Sequence, residues 1–135
     1  MTSSIAILDS PEAIRRHLRD GIQPHEFDEP GVRFVLCDER NEVRAHIHVS
    51  DPPPDAAAEE YRTVVGTLAE AVAAAGPNNA MLLALLRAGA PTLAPADKIW
   101  FRVANAACAE HRVRLLGVHI VTPHGQREIL LDDAL

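Results

Sequence analysis

Ala80-Met81-Leu82-Leu83-Ala84-Leu85-Leu86 decides how the rest of the chain is read. The run is wholly apolar and bounded by polar or turn-forming residues, Asn78-Asn79 before it and Arg87-Ala88-Gly89 after it. A short uninterrupted apolar run between turn signals fits a strand buried on both faces. The Ala and Leu content also suits a helix, but the run lies between two longer segments with helical periodicity, which favours the strand. Read as a strand, it makes the chain an α/β protein. Read as a helix, it leaves the sheet without a centre.

Working upstream, Tyr61, Val64, Val65, Leu68 and Val72 recur at helical spacing, and Gly76-Pro77 closes that segment. The helix is expected to run from an Asp55 cap to Ala75, behind a stiff Asp51–Asp55 linker written DPPPD. Before the linker come VRFVLC and EVRAHIHV, joined by Asp38–Asn41, DERN, which is turn chemistry. This predicts a β-hairpin. Alternation places Val43, Ala45, Ile47 and Val49 on one face of its second strand, with Glu42, Arg44, His46 and His48 on the other. IQPHEFDEPG reads as a loop, and SPEAIRRHLRDG as a short helix capped by Ser10 with Pro11 in its first turn.

Downstream, RAGAPTLAP is a loop. Pro95 opens a helix to about Glu110, with Ile99, Trp100, Val103, Ala106, Ala107 and Cys108 on a broad apolar face. VRLLGVHIV and REILL are the last two strands, turning through His124-Gly125, and the acidic end Asp132–Leu135 is expected to be loose. The order α-β-β-α-β-α-β-β describes a mixed β-sheet with helices packed on both sides.

Composition narrows the function classes. The 135 residues, 47% hydrophobic, are the size of a single domain, 1–135, with an adequate core. With 4% aromatics, that core is built from Ala, Val, Leu and Ile. A net charge of -6 opposes binding to nucleic acid or to an anionic membrane surface. The chain opens without a basic, apolar leader and has no run long enough to span a bilayer. Cys37 and Cys108 sit among apolar neighbours and read as buried free thiols, so a cytoplasmic location is expected. No phosphate-cradling GxGxxG or GxxxxGK[ST] and no GxSxG elbow occurs.

Several segments resemble the RadC-like branch of the JAB/MPN (JAMM) family. SPEAIRRHL resembles the helix that opens that domain, RFVLCDERNEV its first hairpin, APTLAPAD the loop carrying its metal motif, and HRVRLLGVHIV the strand that follows. The resemblance covers nearly the whole chain and implies a cytidine deaminase-like architecture. It also implies a zinc site built from an H-x-H, a downstream Asp, a nearby Ser and an upstream Glu that handles the bound water. Aligned on Pro91, Thr92 and Asp97, the two histidines fall on Ala84 and Leu86, and the serine falls on Ala94. The glutamate falls on Pro30, beside Glu29, and the aspartate is retained as Asp97. Ala and Leu cannot bind zinc, and no histidine lies between His48 and His111. What the resemblance implies here is a non-catalytic domain that binds a protein partner or a second copy of itself. No cofactor is expected, and Asp97 and Glu29 remain as vestiges.

The competing reading is a relocated site. His46 and His48 form an H-x-H whose imidazoles share a strand face. In that register the family's carboxylate position is Glu60, the serine position is Ala57, and Asp51 and Asp55 are near in sequence. This would be a zinc-dependent hydrolase of the peptidase or isopeptidase kind, with ligands His46, His48 and Glu60. The plainer reading puts both histidines on the solvent face. Among the others, His119 reads as a satisfied strand histidine, and His111 as a cation at a helix C-terminus. His111 lies three residues from Cys108, but a helix-face cysteine is usually core. His124 lies at a turn tip, and His17 and His25 carry no pattern.

Overall fold

The computed structural model describes residues 6–52 and 56–134. Its elements are α1 (Pro11–Gly21), β1 (Gly31–Cys37), β2 (Val43–Ser50), α2 (Ala58–Ala75), β3 (Ala80–Leu86), α3 (Pro95–His111), β4 (Arg114–Thr122) and β5 (Gly125–Glu128). Short 3-10 helices occupy Pro24–Asp28 and Leu131–Ala134. The apolar run Ala80–Leu86 is a strand, and all seven of its residues are buried. It lies at the middle of a five-stranded sheet of order β2-β1-β3-β4-β5. The β3/β4 pair is parallel, and β1/β2, β1/β3 and β4/β5 are antiparallel, so the sheet is mixed.

The pleat divides the core into two clusters, because alternate strand residues face opposite sides. Phe34, Met81, Leu83 and Ile120 pack with Tyr61, Val65, Trp100 and Val103 of α2 and α3. Trp100 is the corner of that cluster, edge-on to Phe34 at 6.4 Å and to Tyr61 at 4.7 Å between ring centroids. Val35, Leu82, Ala84, Leu86 and Val121 face the other way and meet Leu8, Ile14, Leu18 and Phe27. Helices therefore cover both faces, α2 and α3 on one side and α1 on the other. The single helix α1 is short, so the sheet's outer strands are less covered on that side than the centre.

Local chemistry explains most boundaries. Ser10 Oγ accepts the Ala13 N–H and starts α1. In the hairpin turn, Asp38 Oδ1 accepts from the Arg40 and Glu42 N–H groups, and Asn41 takes the left-handed conformation at φ 64°. Arg112, also left-handed at φ 58°, ends α3.

Five expectations are corrected. The register of β2 shifts between Leu36 and Cys37, a bulge that pairs Cys37 with Val43. Val43 thereby joins the α1-side cluster, while Ile47 and Val49 pack on the α2/α3 side. The segment before β1, expected to be a loop, contains the Pro24–Asp28 3-10 helix, which buries Phe27. Helix α2 is capped by Ala57, and Asp55 lies outside the described residues. The last strand is Gly125–Glu128 and not REILL. After it Ile129 is buried, but Leu130 and Leu131 are 58% and 70% exposed, so alternation has ended. The acidic end is not loose through Ala134: Arg102 Nη2 donates to the Ala134 carbonyl at 2.5 Å, and Ala134 is buried. Leu135 lies outside the described residues. No helix among the described residues is long and apolar enough to cross a membrane.

Candidate functional site

The positions that the RadC resemblance assigns to zinc lie around the C-terminal end of β3. Ala84 and Leu86 are fully sealed in the α1-side cluster. Asp97, in the first turn of α3, is only 2% exposed and is fully engaged. Its Oδ1 accepts from Arg87 Nη1 at 2.6 Å, and its Oδ2 from Arg87 Nη2 at 2.7 Å and from the Ala94 N–H at 2.7 Å. The same guanidinium donates to the Thr92 carbonyl at 2.6 Å. Arg87, the residue after β3, thus pins the Thr92–Asp97 loop and the start of α3 with one bidentate fork. The fork raises the Arg87 pKa, because its charged form makes those hydrogen bonds. Pleat alternation sends Ala84 and Leu86 away from the side on which Asp97 sits, so the three do not form one cluster.

His46 and His48 share the α1-side face of β2, opposite Val35 and Arg33 respectively. They have separate neighbours. His46 Nε2 lies 2.9 Å from His17 Nε2 on α1, with the two rings stacked 5.1 Å apart. One imidazole must donate and the other accept, so this contact needs at least one neutral ring. Both pKa values are lowered. For His17 the causes are burial, then His46 and Arg33. For His46 they are burial and then Arg33, with Glu26 opposing. His48 lies over Gly31 and lines a small cleft with His25, Glu26 and Glu29. Glu26 is taken by Arg33 and by the Gln23 N–H, which together outweigh burial and hold its carboxyl low.

Glu60 is exposed in the first turn of α2, on the opposite side of the sheet from both histidines. Asp51 comes closer: its carboxyl is pushed up by partial burial, against the pull of Arg87 and His48. Among the described residues no three His, Cys, Asp or Glu side chains are grouped as a metal site.

A third location was not visible in the sequence. His119 in β4 is 4% exposed, and its Nε2 has no hydrogen-bond partner among the described residues. The expectation of a satisfied strand histidine is therefore corrected. Burial, then the nearby Arg15, lowers its pKa to about 4, so the ring is neutral near pH 7. Asn41 Oδ1 and Gln126 Oε1 are likewise buried without a partner among the described residues. All three residues line one cavity of about 360 Å³ between α1, the hairpin turn and the β4–β5 end of the sheet. Arg15 and Glu128 also line it. The amides are oriented by their other ends. Asn41 Nδ2 donates to the Leu8 carbonyl at 3.2 Å and Gln126 Nε2 to the Arg15 carbonyl at 2.9 Å. Only a donor can meet a carbonyl, so the oxygens are the atoms left over.

Gly117 lets His119 lie where it does. It has φ 148°, and a Cβ there would come within 3.0 Å of His119 Nε2 and 3.3 Å of Glu128 Oε2. It follows a register shift of β4 against β3, which pairs Met81 with Leu115 and Leu82 with Gly117. The signal available in sequence was Gly117 two residues before His119 within a strand, a pattern that marks a bulge or a close approach.

The thiols are unsuited to catalysis. Both cysteines are buried and free, and burial pushes each pKa up to about 11. The chain matches no protein-family model and no curated protein.

Proposed function

We propose that this chain is a RadC-like domain of the JAB/MPN type, with cytidine deaminase-like architecture, that works by binding and not by zinc hydrolysis. The observation that carries the reading is the end of β3. Ala84 and Leu86 offer no ligand there, and Asp97 spends both carboxylate oxygens on Arg87 and Ala94. The element order and the mixed sheet support the family resemblance. The occupant is a protein, either a partner or a second copy of the chain. Support for this comes from β2, an eight-residue strand at the sheet's edge on which no residue is fully buried. Beyond Val43, whose N–H already donates to the Ala6 carbonyl, its outer edge offers backbone N–H and C=O groups for strand pairing. The relocated hydrolase has less support, because Glu60 and the two histidines lie on opposite sides of the sheet.

Zinc titration by calorimetry tests the reading, paired with sedimentation over a range of protein concentrations. The expected result is no stoichiometric zinc binding below millimolar metal, with self-association that Ala45→Lys weakens at its exposed edge position. One zinc bound tightly and lost in Asp97→Asn would refute it. So would tight binding lost in His48→Ala, which would favour the hydrolase.

A further inference from the structure

We propose that the cavity between α1 and the β4–β5 end of the sheet is a binding site for a small zwitterion of the α-amino-acid class, its ammonium held by Asn41, Gln126 and His119 and its carboxylate by Arg15. This goes beyond the family reading and does not depend on it.

The first argument is the distribution of unpaired groups. Native proteins leave few buried polar atoms unpartnered, because each such atom gives up its hydrogen bonds to water and gains none in return. Here Asn41 Oδ1, His119 Nε2 and Gln126 Oε1 have no partner among the described residues, and all three residues wall the same cavity. They come from the hairpin turn and from the adjacent paired strands β4 and β5, so Asn41 is far in sequence from the other two. Chance would scatter such groups over the molecule.

The second argument is their chemical sense. Both amide oxygens are acceptors, fixed by the carbonyls that their nitrogens meet. The His119 ring is neutral near pH 7, and with its proton on Nδ1 the unpartnered Nε2 accepts. A primary ammonium has three N–H donors, the complement of three acceptors. Glu128, lining the same cavity, adds negative charge on that side. Arg15 supplies the opposite requirement: its guanidinium has no ion pair among the described residues, and a carboxylate matches its fork. A cavity of about 360 Å³ accommodates a single amino acid and excludes a folded partner. Ile14 and Leu116 give it apolar wall for a side chain.

Each unpaired atom is covered by its neighbours, so binding displaces those neighbours while the amides keep their bonds to Leu8 and Arg15, and the His119 imidazole reports it. The test uses the full chain, ¹⁵N-labelled, titrated with the common L-α-amino acids. Each amino acid that binds is followed by its decarboxylated amine and its desamino acid. The expected result is saturable shifts at Gly117, the Gln126 side-chain amide and the His119 ring, with both half-ligands at least about tenfold weaker. Arg15→Gln and Glu128→Gln change exposed side chains, so both variants fold, and each should weaken binding by about tenfold. The proposal is overturned if no amino acid shifts these resonances at about 20 mM, a concentration that detects even millimolar affinity. It is equally overturned if an amine or an acid alone binds as well as the zwitterion, or if both variants bind as the wild type does.

Discussion

Replacing Asp97 by alanine separates a structural ion pair from a remnant of metal chemistry. The carboxylate makes three short bonds, two to Arg87 and one to the Ala94 N–H, from a site that is 2% exposed. Removing one partner of a buried pair costs about 3–5 kcal/mol, because the other charge is stranded. The Arg87 side chain is 26% exposed and regains some water, which moves that part towards the lower bound. The unsatisfied Ala94 N–H at the start of α3 adds about 1 kcal/mol. Asp97→Ala should therefore destabilise by about 3–4 kcal/mol, roughly 10–15 °C in Tm for a domain of this size. Asp97→Asn keeps an acceptor for Ala94 and should lose about half as much. Urea unfolding followed by circular dichroism gives the free energies, with the m-value unchanged. A loss below about 1 kcal/mol for the alanine variant would refute the packing argument. A wild type that EDTA destabilises to the level of Asp97→Ala would show that a metal, not Arg87, is the partner.

Other predictions rest on different residues. His119 has a folded pKa of about 4 against an unfolded value near 6.5, so its contribution is present above pH 6.5 and lost as pH falls towards 4. The loss approaches about 3 kcal/mol, in the same direction as the smaller losses from His17 and His46, and His119→Gln should flatten the pH–stability curve measured by urea melts. Gly31→Ala would place a Cβ 2.5 Å from the Val49 carbonyl oxygen, so β2 must move, and thermal melts should show about 2–4 kcal/mol of destabilisation. Gly66→Ala is its opposite: nothing lies within 4 Å of that Cβ, the site is mid-helix in α2, and stability should rise by about 0.5–1 kcal/mol. Native protein should resist a thiol reagent at pH 8, because Cys37 and Cys108 are buried with pKa values of about 11; labelling should appear only on unfolding.

The parts of the fold legible in the sequence were those carried by period and punctuation. Ala80–Leu86 could be read as a buried strand because no polar residue interrupts it. Ser10, Pro11, Gly76 and Pro95 marked helix ends by local chemistry that tertiary context did not override. What escaped was set by pairing. Val43 has the alternation of Ile47 and Val49 on paper, and only the bulge against Cys37 turns it to the other face. REILL contains the residues of a strand, yet pairing with β4 ends at Glu128, and the chain then turns into a 3-10 helix tied down by Arg102.

The sites divide along the same line. That Ala84, Leu86 and Ala94 cannot bind zinc follows from residue type alone. That Asp97 belongs to Arg87 requires a contact between residues ten apart, across a loop and into the first turn of α3, which spacing does not encode. The His119 cavity was less legible still. Its unpaired atoms come from the hairpin turn, β4 and β5, and each residue read singly has a plain explanation.

This geometry also bears on where chemistry can reside in such a domain. The centre of the sheet is closed: β3 presents seven buried apolar side chains, so a polar ligand there would displace core packing on both faces at once. Polar groups can approach the sheet without that penalty only where helix coverage is thin. On the α1 side, one eleven-residue helix covers the middle and leaves the ends open. At one end lie His46 and His48, satisfied or exposed, with Arg33 close enough to disfavour an added cation. At the other, Gly117 removes a side chain from β4 and leaves room for His119. Arginine beside the histidines at one end opposes a metal, and at the other end unpaired acceptors beside both a carboxylate and Arg15 suit a zwitterion and not a bare cation. The two ends therefore differ in what they can hold, and the His17–His46 pair supplies a control. Substituting His17 by Phe keeps a ring against His46 and should leave amino-acid shifts at His119 unchanged, whereas Arg15→Gln should weaken them. Equal effects from the two substitutions would mean that α1 docking, not ligand contact, controls the cavity.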